Sequence, residues 1–238
     1  MTPTEIIEEL RALGDPTKLA VLERFGIRTT TAFGISTPEL KTFAKELRKI
    51  VADRHFTAQQ LWETGIYEAR ALAFLIDDPK RVTPDQMEAW VADLDNWATV
   101  DGVCSNLFCR TPYAYSKAIE WAERETEFEK RAGFSLMAYL AVHDKKAPDE
   151  KLAAFLPIIE KHAYDGRNFV RKAVNWALRQ IGKRSVFLNK LAIAAAEDIR
   201  LQDSVSARWI ASDASRELAS PVVQERLKKK AARSTLRE

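Results

Sequence analysis

The chain of 238 residues is poor in the residues that most chemistry-bearing motifs need. It has two cysteines, Cys104 and Cys109, five positions apart, and this pair predicts reduced core residues of a cytosolic protein, with neither a disulfide nor a zinc site. Its three histidines, His55, His143 and His162, are scattered and read as surface or core filler. Metal-ligand spacing, a phosphate-cradling glycine loop and a Ser/His/Asp grouping are all missing, so neither a metal nor any other cofactor is expected. No apolar run approaches the ~18 residues of a membrane span, and the N-terminus reads as an acidic helix start and not a signal peptide. Net charge is only +3, from 37 basic and 34 acidic residues, so a polyanion partner would have to be met by arrangement and not by total charge. Eight glycines, with few alternating β-branched runs, leave an all-α chain with 46% hydrophobic residues and material for a sizeable core.

What the sequence does have is a repeated helix. From Asp165-Gly166 the chain turns and then reads as a helix ending at Gly182. At 100° per residue, Phe169, Val170, Ala173, Val174, Ala177 and Ile181 share one face. Lys172, Arg179 and Lys183 lie together on the other side, with Trp176 at the seam. That indole either covers the rim of a core or offers a stacking surface beside cations. Shifting the frame by about 41 residues, a HEAT-like period, aligns Phe128 with Phe169 and Arg131 with Lys172. The segments at Tyr67, Trp97 and Val205 fit the same frame and put Arg70, Asp101 and Arg208 at the reference position. Stacked helix pairs would line these residues along one concave surface, four cations and one carboxylate. The expected fold is therefore an all-α, HEAT-like solenoid of antiparallel helix pairs with a basic concave face, forming one domain over residues 1–238.

Taken in order, helices are expected over residues 4–13, 16–25 and 38–52, the last capped by Thr37. A short helix capped by Thr57 is followed by helices over 67–76, from Thr83-Pro84, over 96–108 and after Pro112. Further helices are expected over 126–142 (with Thr126 and Glu129 at capping-box spacing), 149–162, 168–181, 185–195, 204–218 and 221–231. The basic run Arg226–Arg233 is a solvated face or a phosphate contact.

Trp97 and Asp101, four residues apart, share a helical face with Cys104 and Phe108. Burying such a carboxylate alone costs several kcal/mol, so it needs a cap, an ion pair or a chemical role. Arg131 opens an otherwise apolar, hence central, helix. Either these two form a structural ion pair between repeats, or they combine a carboxylate for chemistry with a guanidinium for phosphate.

These residues also carry a resemblance. Ala32-Phe-Gly-Ile-Ser-Thr-Pro38 with Leu40, Leu61-Trp62 with Glu68 and Arg70, Trp97-Ala-Thr-Val-Asp101, Arg131-Ala132 and Phe169–Arg179 together resemble the AlkD-type DNA alkylation repair proteins, which are HEAT-like DNA glycosylases. The resemblance covers the whole chain. It departs at Asn96-Trp97-Ala98 and in the spacing from Arg131 to Trp176. It implies an active site of Trp97, Asp101, Arg131 and Trp176 that hydrolyses the N-glycosidic bond of N3- or N7-alkylated purines in duplex DNA. Asp101 would stabilise the oxocarbenium sugar and orient water. Trp97 and Trp176 would pack on the lesion's deoxyribose, and Arg131 would hold a flanking phosphate and keep Asp101 ionised. Lys172, Arg179 and Lys183, with Arg70 and Arg208, would cradle the DNA backbone. A cytoplasmic, nucleoid-associated monomer acting in base excision repair is implied. A HEAT scaffold that binds DNA structure without chemistry, and a purely protein-binding solenoid, are the other classes the sequence allows.

Overall fold

In the computed structural model the backbone is described over residues 1–235 and side chains to residue 232, so Arg233 of the basic run lies outside the described side chains. Among these residues every regular element is helical, and none is long and apolar enough to cross a membrane. The chain divides into two compact units, Met1–Pro112 and the part from Tyr113 onward.

The first unit contains α1 (Pro3–Leu13), α2 (Leu19–Arg24), α3 (Thr37–Ile50), α4 (Arg54–Glu63), α5 (Tyr67–Ile76), α6 (Pro84–Ala92) and α7 (Trp97–Asn106). The three-residue link between α4 and α5 forces an antiparallel pair, and α3 and α7 pack on α5. Trp62 of α4 stacks on Trp90 of α6, with ring centroids 4.0 Å apart, and its Nε1 donates to Asp93 at 2.8 Å. Glu68, fully buried, accepts from the backbone N–H groups of Phe33, Gly34 and Ile35 at 2.9, 2.8 and 3.2 Å. It thereby fixes the loop before α3 and satisfies three donors that would otherwise be buried unpaired. Gly34 allows that loop its shape, with φ +83°, and a Cβ there would fall 2.2 Å from the Asp15 carbonyl oxygen.

In this unit two capping residues differ from expectation. Ser36, not Thr37, caps α3, because Glu39 lies three residues on and completes a capping box; Pro38 is inside the first turn. Asp53, not Thr57, caps the next helix, which therefore starts earlier and buries Thr57. His55 is no filler: its Nδ1 lies 2.7 Å from Asp77 in a buried polar cluster with Gln86. Burial pushes the Asp77 carboxyl up despite these partners.

The second unit contains α8 (Ala114–Ala122), α9 (Glu127–His143), α10 (Asp149–Ala153), α11 (Leu156–His162), α12 (Asn168–Gly182), α13 (Val186–Arg200), α14 (Val205–Leu218) and α15 (Pro221–Thr235). The helix expected over 149–162 is two helices, because Pro157 cannot donate to Ala153, where α10 stops. Thr126 makes no side-chain cap; its expected capping partner Glu129 pairs with Arg124 at 2.8 Å instead. The second helices of successive pairs, α9, α12 and α14, pack directly on one another. Their contacts recur at a near-constant spacing: Arg131 to Phe169, Asn175 to Asp213 and Arg179 to Glu217 are each 38 residues apart. This is the stacking that the repeat in the sequence predicts. The apolar stripe of α12 is its packing face, with Val170, Ala173, Val174, Ala177 and Ile181 fully buried.

Candidate active site and nucleic-acid face

In the first unit, α7 carries Trp97 in its first turn and Asp101 one turn later. Asn96 caps the helix by accepting from Thr99 N–H at 2.9 Å, which fixes where the helix begins and so where both side chains point. The remaining faces of α7 are core, with Val100, Val103 and Cys104 fully buried. Gly102 lets α7 approach α5 closely; a Cβ at this position would meet the Phe74 ring at 2.4 Å. Against that buried background Trp97 and Asp101 are half-buried, on the one side of the helix that keeps access to solvent. The Trp97 indole is anchored by its Nε1, which donates to the Phe25 carbonyl at 2.9 Å. A carboxylate and an indole face are thus presented from a rigid helix, as a site needs.

In the second unit, Arg131 is only 6% exposed and its Nη1 donates to the Phe169 carbonyl at 2.8 Å. This bond ties α9 to the first turn of α12. Its neighbour Lys130, which the sequence pattern did not single out, is also buried and lies 3.9 Å from Asp165. Trp176 is half-buried and meets Tyr139 of α9 edge to face, with centroids 4.8 Å apart, an arrangement that fixes the ring plane while leaving part of it open. Phe169 and Trp176 are seven residues apart on α12, so the indole sits ~10 Å along the helix from the Arg131 contact. Arg131 and Trp176 are therefore carried on neighbouring helices but at different levels.

The basic stripe of α12 is largely compensated. Arg179 bonds Glu217 of α14 at 2.5 Å and lies 3.5 Å from Asp213, and Lys183 reaches Glu217 at 2.6 Å. Burial pushes the Glu217 carboxyl up, but the Lys183 hydrogen bond and the charges of Arg179 and Lys183 prevail and hold it below the usual range. Lys172 remains exposed. Arg208, in the first turn of α14, is half-exposed beside Asp203 at 3.3 Å. Arg70 stacks over Trp62 at 5.1 Å, donates to the carbonyls of Trp62 and Asp93 and pairs with the Asp93 carboxylate at 3.2 Å. It staples α4, α5 and the end of α6 together. A cation missed in the sequence, Arg171, lies 5.0 Å from the centre of the Trp209 ring, and that ring is 37% exposed. The exposed surface of α12 and α14 thus offers Lys172, Arg208 and an arginine-backed indole.

The family model of the DNA alkylation repair enzymes matches residues 6–218, which takes in all of these positions. The chain belongs to the DNA alkylation repair enzyme family. An uncharacterised protein of Listeria innocua is 23% identical over 201 residues, covering 84% of this chain and 87% of that protein. A solved structure aligns over 95% of this chain and 96% of its own with a TM-score of 0.77 at 20% identity. That protein is described as one of a new family related to the HEAT-like repeat DNA glycosylases with affinity for branched DNA structures. The likeness shows a HEAT-like repeat fold, as the repeat in the sequence predicts.

Proposed function

We propose that this member of the family is a DNA glycosylase that releases cationic N3- or N7-alkylated purines from duplex DNA. The observation that carries the reading is the half-buried Trp97–Asp101 pair on the solvent-accessible side of α7, whose opposite side is buried through Thr99, Val100, Val103 and Cys104. An alkylated, positively charged purine is already a good leaving group, so the protein must stabilise the oxocarbenium sugar that forms as the C–N bond breaks. A carboxylate held on a rigid, partly desolvated surface supplies that charge complementarity without reorganisation. Asp101 takes this role and orients the attacking water. Trp97 offers a ring face to the deoxyribose, whose C–H groups carry partial positive charge, and Trp176 in the second unit offers a ring face to bound DNA. Arg131, buried and bonded to Phe169, acts as a positioning residue that fixes the start of the helix carrying Trp176. Lys172 and Arg208 take backbone phosphates, and no base is read.

The test is base release from a duplex containing N7-methylguanine or N3-methyladenine, by wild type and by Asp101→Asn at matched DNA occupancy. Release by wild type and a loss of at least about 100-fold in the variant, or ~2.7 kcal/mol of transition-state stabilisation, supports the reading. A second reading is favoured by the affinity for branched DNA described for the structural neighbour: a scaffold that holds DNA junctions and performs no chemistry. No base release by either protein, with salt-dependent binding of a four-way junction above duplex by both, would establish that instead.

A further inference from the structure

Where α9 and α12 end and α13 begins, beside α15, the second unit has a cavity of about 830 Å3 that the proposed active site does not use. Pro148, Val186, Phe187 and Leu227 form its apolar wall, and Lys145, Arg184 and Lys230 bring positive charge to it. A second cavity of about 500 Å3 shares those three cations and adds Lys183, Arg226 and Lys229. Of the added cations, Lys183 is held by Glu217 and Lys229 lies 3.8 Å from Glu225. The one carboxylate lining the larger cavity, Asp149, accepts from the Ser185 hydroxyl at 2.5 Å.

Arg184 makes this a built site. It is only 7% exposed, and its Nη2 donates to the carbonyls of Asp144 and Ala147 at 2.7 and 3.5 Å. Its Nη1 is buried with no partner. A buried donor on a charged group left unmatched is destabilising, and an anion in the cavity would remove that cost. Lys230 donates to the Arg184 carbonyl, which keeps its ammonium at the same spot. Burial and the nearby Arg184 and Lys145 charges hold the Lys230 ammonium below its usual range, the crowding an anion would relieve. The 15-residue helix α13 opens here, adding the positive end of its dipole. Val186 and Phe187 in that first turn are 39% and 48% exposed, an aromatic and aliphatic surface beside the cations.

We propose that this cavity binds a nucleotide phosphate, with the phosphate oxygens on Arg184, Lys145 and Lys230 and the sugar or base against Phe187. Its volume suits a ligand of that size. The same chemistry is offered by a free mononucleotide and by the phosphorylated end of a DNA strand. Calorimetric titration of the full chain with 5′-AMP, adenosine, and a dA trinucleotide with and without a 5′-phosphate separates these sources. At least one phosphorylated probe should bind at least about tenfold more tightly than its unphosphorylated counterpart. Preference for AMP assigns the site to free nucleotides, and preference for the phosphorylated trinucleotide assigns it to strand ends. Lys145→Glu and Lys230→Glu should each weaken that binding at least about tenfold. Lys145 is exposed and its side chain ties down no helix, so the first variant tests the site without risk to the fold. Equal binding of phosphorylated and unphosphorylated probes, no binding of either, or unchanged binding by Lys145→Glu overturns the proposal. Base release from the alkylated duplex, measured in parallel, reports on the glycosylase reading alone.

Discussion

Replacing Glu217 by Gln should strengthen DNA binding, although it deletes a well-made ion-pair network. Glu217 occupies Arg179 through one oxygen and Lys183 through the other, at 2.5 and 2.6 Å. All three side chains are less than one-third exposed, so each is accessible but partly screened. Such pairs contribute roughly 0.5–1 kcal/mol each. The α12–α14 contact keeps its Asn175–Asp213 hydrogen bond at 2.7 Å and its Arg171–Trp209 stack. The variant should therefore fold, with a lowered melting temperature. The substitution removes the charge that neutralises Lys183 and leaves Arg179 only the Asp213 carboxylate, at 3.5 Å. Each additional phosphate neutralised steepens the dependence of log K on log salt by about 0.9, so the slope should steepen by ~0.9 to ~1.8. Between about 50 and 200 mM salt, a change of 1.8 widens the affinity range roughly tenfold. Fluorescence anisotropy of a labelled duplex across that range reads both slope and affinity. A folded variant with an unchanged slope would show that this stripe of α12 does not face the DNA.

Lys172→Ala removes an exposed cation from the same helix; its slope should fall by ~0.9 with no change in melting temperature. Glu68→Ala leaves the N–H groups of Phe33, Gly34 and Ile35 without their carboxylate acceptor. At about 1 kcal/mol or more for each, urea unfolding should report a loss of ~3 kcal/mol or greater. Burial holds the His162 imidazole below its ordinary pKa against the opposing pull of Glu123. The unfolded chain therefore takes up this proton first as pH falls through about 6.5, and His162's contribution, complete above that pH, is lost below it. Denaturant midpoints at pH 7.5 and 5.5 should differ in that direction, and His162→Gln should reduce the difference.

The repeat and the placement of Trp97 and Asp101 were legible because both rest on helix geometry alone. Four residues put an indole and a carboxylate on one side of α7, and the ~41-residue frame reappears as the Phe128–Phe169 contact between α9 and α12, at 5.5 Å. Some misses were also legible. Ser36 with Glu39 is a capping box readable from spacing, and Pro157 marks the break that separates α10 from α11. The fates of the cations were not. The acid that holds Arg179 and Lys183 lies 38 and 34 residues away, in the next repeat, and no pattern within α12 announces it. Arg131 likewise finds its acceptor in the backbone of Phe169, a group that carries no side-chain signal. Position on a helix tells which side chains can meet a ligand, whereas the facing helix decides which of them are still available.

That distinction explains how a chain of net charge +3 can serve a polyanion. In the middle of the second unit the repeats face one another through charges of opposite sign: Arg179 and Lys183 meet Glu217, and Arg179 also meets Asp213. These pairs hold consecutive repeats in register and neutralise Arg179 and Lys183. Where α15 follows α14, the next helix brings Arg226, Lys229 and Lys230 toward Lys145 and Arg184, and like charges accumulate. Such repulsion opposes folding unless something offsets it. Part of the offset is local, in the carbonyls that Arg184 and Lys230 bond. A bound phosphate would supply the rest, so this cavity should gain more stability from an anion than the compensated stripe of α12.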